Sequence, residues 1–407
     1  MLLLLWMLLK KKAHLRSKIL KFLLQFAVLF TLLFCHKLSI AQQSSPPFQD
    51  ILVQQDTIQY AFVPALIYTS DLGLVGGGLI QRYDYSDGFS PYRNSIHAQI
   101  LLSTKGLINV RTSLEHTETF GRDIRSLWEI RGFRLFDDNY FGIGNDTNYD
   151  SDLWSNRFYN YESRSVGFRY RGRIPIYRGN NAQRLDVISL INISYFTPFV
   201  DESDNILINL DRPLGFDGGF INFLGSGLQW ESRDSEFSPT KGFTFRVDAT
   251  LSHEWLLSDY RFGSIEAVAT NYYTLPYTFE TVLAFLGGGK ITIGDAPFHY
   301  LADLGGEDRL RGFPLFRFRG DHALWYSAEL RNWLYHNKLY DFKVGLHAFT
   351  DGGRVYTNGE RFTLDNLHHT FGGGVAFQLF TPDFILRIEY AQSPDMGRLY
   401  MGVGYMF

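Results

Sequence analysis

Stretch after stretch of this chain places apolar residues at every second position. Ile96, Ala98, Ile100 and Leu102 alternate with Ser95, His97, Gln99 and Leu101. Ile108, Val110, Thr112 and Leu114 alternate with Asn109, Arg111, Ser113 and Glu115. Val344, Leu346 and Ala348 alternate with Lys343, Gly345 and His347. A period of two is the signature of a strand with one apolar and one polar face. Clusters of Gly, Asp, Asn, Ser and Pro separate the stretches. The pattern predicts sixteen strands, at about 61–69, 74–85, 94–104, 107–118, 125–137, 158–172, 185–199, 221–234, 242–255, 260–275, 278–290, 322–335, 340–350, 367–380, 383–392 and 398–407.

Alternation alone fits a soluble sandwich as well as a membrane barrel. The strand lengths favour the barrel. So do aromatic residues near strand ends, at Tyr83, Tyr85, Phe136, Tyr273, Trp333 and Tyr335, which suit interfacial girdles. The last ten residues, RLYMGVGYMF, carry Leu399, Met401, Val403, Tyr405 and Phe407 on one face and finish on an aromatic. A final strand with an open edge in lipid costs several kcal/mol per unpaired group, so it needs a neighbour on both sides. The expectation is an all-β chain, a sixteen-stranded transmembrane antiparallel β-barrel with hydrocarbon outside and charge within. An even strand number fits.

The first forty-one residues differ from the rest. Six lysines and arginines from Lys10 to Lys21 precede an apolar run from Phe22 to Cys35, and Ser39-Ile40-Ala41 follows. This reads as a secretory signal peptide over 1–41, cut after Ala41. Residues 42–56 read as a flexible segment, and 57–407 as the barrel. Removing 1–41 takes away seven of the 39 Lys/Arg and no acid, which leaves 32 basic against 42 acidic residues, formally −10. That argues against a nucleic-acid partner. Cys35 is the one cysteine, so disulfide frameworks and thiolate chemistry are excluded from the processed chain.

Several apparent chemical motifs fail. His253-Glu254 lacks a second histidine at metalloprotease spacing. Gly287-Gly288-Gly289-Lys290 lacks a phosphate-loop ending and sits in a strand. His368-His369 is a pair at a loop edge. No serine–histidine–aspartate set emerges from spacing. The expectation is no catalysis, no metal and no cofactor.

One connection, from about 291 to 321, is much longer than most, and long barrel loops are extracellular, plugging or functional. It contains Leu310-Arg311-Gly312-Phe313. Ala328-Glu329-Leu330-Arg331, Phe349-Thr350-Asp351-Gly352-Gly353 and Gly372-Gly373-Gly374-Val375 follow in order. Arg233-Asp234 with Pro239 and Gly242, and Tyr140 to Asn145, precede it. Together these resemble the bacterial surface-antigen superfamily of outer-membrane assembly barrels that includes BamA and TamA. The likeness covers about 57–407. Strand parity alone puts Glu329 with Arg331, and Asp351 with His347 and Lys343, on lumen faces. The resemblance implies that the loop between strands 11 and 12 folds inward and that Arg311 pairs with Asp351. Glu329 is a second candidate, and an ordinary solvated loop arginine is the plainer alternative. Gly312 allows a tight turn that aims Arg311, and Phe313 wedges against the wall.

The family's working part is the seam between first and last strands, here about 61–69 against 398–407, with Tyr405 and Phe407 as its C-terminal signal. Pro64 removes a ladder donor there, and Gly402 and Gly404 weaken packing or merely make room for the loop. The resemblance implies a barrel in the outer membrane of a Gram-negative bacterium that inserts or translocates proteins, in contact with lipid and client outer-membrane proteins. Periplasmic capture modules are not visible before the first strand, which implies either a separate periplasmic partner or a narrower task. A passive channel for small solutes is the rival reading.

Overall fold

The computed structural model describes residues 58–407 apart from 87–91, 120–123, 180–182, 202–204, 236–237, 278, 338, 340–341 and 380–383. The expected signal peptide and the segment to residue 56 lie outside the described residues.

Sixteen antiparallel strands close a barrel: β1 (Ile58–Thr69), β2 (Gly73–Asp84), β3 (Asn94–Ser103), β4 (Ile108–His116), β5 (Arg125–Asn139), β6 (Asn160–Arg178), β7 (Arg184–Phe199), β8 (Gly219–Glu231), β9 (Gly242–Ser252), β10 (Phe262–Leu275), β11 (Glu280–Gly294), β14 (His322–Asn337), β15 (Phe342–Tyr356), β16 (His368–Gln378), β17 (Ile385–Gln392) and β18 (Gly397–Val403). Two three-residue strands, β12 (Ala302–Leu304) and β13 (Phe318–Gly320), form a separate hairpin between β11 and β14. Each barrel strand pairs with its sequence neighbour, apart from the β11–β14 step across that hairpin and the β1–β18 closure. Two one-turn helices, α1 (Ser151–Ser155) and α2 (Leu207–Asp211), lie in connections at the end that carries the long loops.

Burial decides between sandwich and barrel. Ile96, Ile100 and Leu102 of β3, Ile130 of β5 and Ile193 of β7 are exposed, whereas Glu129, Asp186, Glu329, Asp351 and Glu389 are buried. An apolar outside around a charged inside suits a protein whose solvent is lipid.

Four details differ from the sequence pattern. β1 begins at Ile58 and β11 runs on to Gly294, so the long loop spans 295–321. Tyr83 faces the lumen beside Tyr92 and His97 rather than a lipid interface. Trp333 also turns inward, toward Tyr405, because it shares the face of Glu329 and Arg331; a bulge between Trp333 and Tyr335 then resets the alternation and leaves Tyr335 outside. The last strand ends at Val403 instead of continuing to Phe407.

Candidate functional site

The 295–321 loop is fixed to the barrel at its base, stalk and tip. At its base Lys290 Nζ donates to the carbonyls of Tyr300 and Leu301, at 2.8 and 3.2 Å. Phe298 is buried with Tyr140, Tyr161 and Phe196. The paired β12 and β13 form a stalk. Leu304, Leu310, Phe313 and Phe318 then pack in one apolar cluster with Trp325 of β14 and Val355 of β15. Phe313 sits edge-on to Phe318.

Arg311 lies at the tip and is fully buried. Its Nε and Nη2 donate to the two oxygens of Asp351, each at 2.8 Å. Its backbone N–H also donates to Asp351, at 3.1 Å. Nη1 reaches Glu329 at 2.6 Å and Glu389 at 3.4 Å. Nη2 also donates to Ser327 Oγ at 3.1 Å. The guanidinium carbon stands 3.4 Å from the centre of the Phe349 ring. A planar fork meeting a carboxylate bidentately is the strongest ordinary geometry for such a pair. The surrounding charges are paired. Arg331 pairs with Glu329 at 2.7 Å, and Arg387 stands 3.7 Å from Glu389. Arg387 also pairs with Glu307 of the loop. Three guanidinium groups therefore meet four carboxylates, and His347 Nε2 adds a contact of 3.0 Å to Glu389. A buried ion cluster persists only when it is paired and hydrogen-bonded in this way.

Gly312 turns the chain at a φ of +95°, a conformation that favours glycine. A Cβ there would stand 3.1–3.3 Å from the backbone of Ala391, Gln392 and Ser393. Its N–H donates to the Tyr400 hydroxyl at 3.1 Å, and its carbonyl accepts from Ser393 Oγ at 2.9 Å. The loop thus holds the β17–β18 side of the closure. It holds the other side through Asp71, in the β1–β2 turn. One Asp71 oxygen accepts from Leu315 N at 2.8 Å and from Arg398 Nη2 of β18 at 2.5 Å. Burial pushes this carboxyl up, against the opposing pull of Arg398. Asp71→Ala is expected to free the loop end of β18. Losing these bonds costs about 1–3 kcal/mol. Amide exchange over 397–403, followed by mass spectrometry, should then quicken by about ten- to a hundredfold. Unchanged exchange there would show that Asp71 does not hold the strand.

The closure itself is thin. Thr69 and Tyr400 are the single register pair between β1 and β18, whereas β1 pairs with β2 along all 12 of its residues. Ser70 N donates to Leu399 O, and Leu399 N to Ser70 Oγ, both at 2.9 Å. Beyond that point β1 carries Tyr60 and Phe62 outward, 73% and 67% exposed. Residues 404–407 leave the sheet. Gly404 adopts a φ of +80°. The Tyr405 ring then lies 4.0 Å from the Arg331 guanidinium, and Phe407 O accepts from Arg331 Nη2 at 2.8 Å. Phe407 also packs on the Tyr272 cluster. The expected placement of Tyr405 and Phe407 in the last strand, on one face with Leu399, Met401 and Val403, is therefore corrected. Strict alternation fails once the glycine turns the chain toward a buried arginine.

The discarded motifs have structural places. Lys290 anchors the loop, and the Trp325 ring fills the space over Gly288. His368 stacks on Phe318 at 3.9 Å and contacts Asn145 O. His253 caps the turn at Glu254–Leu256. Asp234 Oδ1 accepts from the amides of Thr240 and Lys241, closing the turn around Pro239. The Tyr140–Asn145 turn meets the loop through Gly144 N donating to Arg319 O. Sequence reasoning missed Glu389, Ser327, Tyr400 and Asp71 as loop partners. Glu389 shares the polar face of its strand, so parity carried a signal. Asp71 lies 244 positions from Leu315 and carried none.

A wide membrane barrel holding an arginine-tipped loop against three wall carboxylates defines the class: an outer-membrane β-barrel with an internally anchored loop. The Omp85 superfamily domain matches residues 131–407, and the chain belongs to that superfamily. It is similar to BamA from Haemophilus ducreyi lacking POTRA domains 1–3, with a TM-score of 0.61 and 16% identity over 86% of this chain and 70% of that one. It is also similar to CdiB from Escherichia coli, with a TM-score of 0.60 and 11% identity over 89% of this chain and 64% of that one. CdiB from Acinetobacter baumannii follows at 0.50 and 11%, over 86% of this chain and 60% of that one. At such identities the likeness describes the fold. No curated protein matches the sequence.

Proposed function

We propose that this barrel inserts or translocates polypeptides at the outer membrane through the β1–β18 seam, without catalysis or cofactor. The observation that carries the reading is the single register pair joining those strands. Most of β1 thereby offers an unpaired backbone edge. Such an edge in lipid costs several kcal/mol per group and is relieved by an incoming strand. Superfamily membership and the likeness to BamA and CdiB support the same reading. In it, the Arg311 loop holds the upper end of the seam in register, and client outer-membrane proteins are the partners.

A photo-crosslinking residue at Phe62 or Leu399, introduced in living cells, tests this. Capture of nascent barrel proteins at the seam, but not from Ile193 on another wall, is the expected outcome. Equal capture from both positions, or none from the seam, overturns the proposal. Large, steady wild-type conductance in planar bilayers would favour a passive channel instead.

A further inference from the structure

We propose that the lumen wall made by β6, β8 and β9, at the end with the short turns, is a binding site for a dianionic phosphate group. This goes beyond the seam reading and does not depend on it. Arg171, Arg173, Arg233 and Arg246 line a cavity of about 290 Å³ there, with Gln229 and one carboxylate, Glu231. Strand geometry explains the cluster. Arg171 and Arg173 stand two residues apart on β6 and share a face. Gln229 of β8 is the register partner of Arg246 of β9.

The charges do not cancel. Arg173 and Arg184 share Asp186, at 2.8 and 3.0 Å. Arg233 holds Glu231 at 2.7 Å, and Arg246 holds Asp248 at 2.9 Å. Arg171 donates to the neutral Gln229 amide at 3.0 Å, and its buried Nε has no acceptor. Five guanidinium groups thus meet three carboxylates, whereas around Arg311 carboxylates outnumber guanidinium groups. A surplus of two positive charges suits a phosphate monoester, which carries close to two negative charges at neutral pH, and its more charged analogue pyrophosphate, each with several strong acceptor oxygens. Guanidinium forks match that geometry. The phosphate source is either a free phosphorylated solute or a lipid headgroup bearing a phosphate monoester.

Equilibrium dialysis of the full chain in detergent, at low ionic strength, with radiolabelled pyrophosphate tests the site. One saturable site per chain is expected. Arg171→Gln combined with Arg246→Gln should weaken binding by about tenfold or more, as expected for lost charge-assisted bonds. Asp248→Asn should tighten it severalfold, because it removes a competing carboxylate. In nanodiscs, displacement of pyrophosphate by phosphatidic acid identifies a headgroup source, and displacement only by soluble phosphate esters identifies a free one. Absence of saturable binding overturns the proposal, as does equal affinity in a double variant whose gel mobility still shifts on heating. If the double variant does not fold, an unchanged affinity in Asp248→Asn overturns it.

Discussion

Arg311→Ala is expected to unseat the loop and cost the folded barrel about 3–5 kcal/mol, the usual effect of removing one partner from a buried ion pair. The loss falls unevenly on the three carboxylates. Glu329 keeps Arg331, and Glu389 keeps His347 and Arg387. Asp351 keeps only neutral donors, the Ser327 hydroxyl at 2.7 Å and the backbone N–H of residue 311 at 3.1 Å, and becomes a buried charge without a cation. The double variant Arg311→Ala with Asp351→Ala should therefore be more stable than Arg311→Ala alone, because it removes the stranded charge along with the missing one. Arg311→Lys should recover only part, since an ammonium cannot fork onto Asp351 while also reaching Glu329. Exchanging the two charges, Arg311→Asp with Asp351→Arg, should also recover part. Urea midpoints in detergent, read from tryptophan fluorescence, rank the four variants. A wild-type midpoint for Arg311→Ala would remove the guanidinium from any role in holding the loop.

Locking the seam should have an equally large effect on activity while leaving the fold intact. Ser70 and Leu399 face each other one step beyond the Thr69–Tyr400 register pair, joined by one backbone and one side-chain hydrogen bond, and Cα atoms of facing antiparallel residues stand about 4.5–5.5 Å apart. That separation lies inside the range a disulfide spans, about 4.4–6.8 Å. The one native cysteine, Cys35, lies in the expected signal peptide, so Ser70→Cys with Leu399→Cys should give a single defined bond. Oxidation is expected to abolish client insertion into reconstituted vesicles, and a reductant should restore it. Each single-cysteine variant should stay active throughout. Full activity with the bond closed would mean that β1 and β18 do not part during the work.

Much of the architecture was legible because a two-residue period is robust. The sixteen barrel strands, the antiparallel closure and the loop position all follow from alternation and turn composition, and the family motifs fall where that count places them. Tyr83 and Trp333 keep the parity of polar neighbours, Gln81 and Arg331, and were misplaced by their position near strand ends; elsewhere parity holds only while the backbone stays regular. The bulge after Trp333 and the left-handed turn at Gly404 each send a side chain to the opposite side, and neither residue announces this locally. Within the site, Asp351 and Glu329 were legible because each shares a strand face with other polar residues. Asp71 was not, because a lone aspartate in a turn looks the same whether it faces water or a loop amide from far along the chain. The seam was legible only through resemblance, since nothing in the side chains of β1 or β18 states how few backbone pairs they form.

The placement of the Arg311 partners also imposes an order of events. Asp351 belongs to β15, Glu329 to β14 and Glu389 to β17, and Tyr400, which receives the neighbouring amide, belongs to β18. The receptor for the arginine does not exist until those strands have zipped together. Before then, burying the guanidinium would mean stripping its water with no counter-charge waiting. Loop docking is therefore a late event in maturation, and it certifies that the C-terminal third of the wall has been built in the correct register.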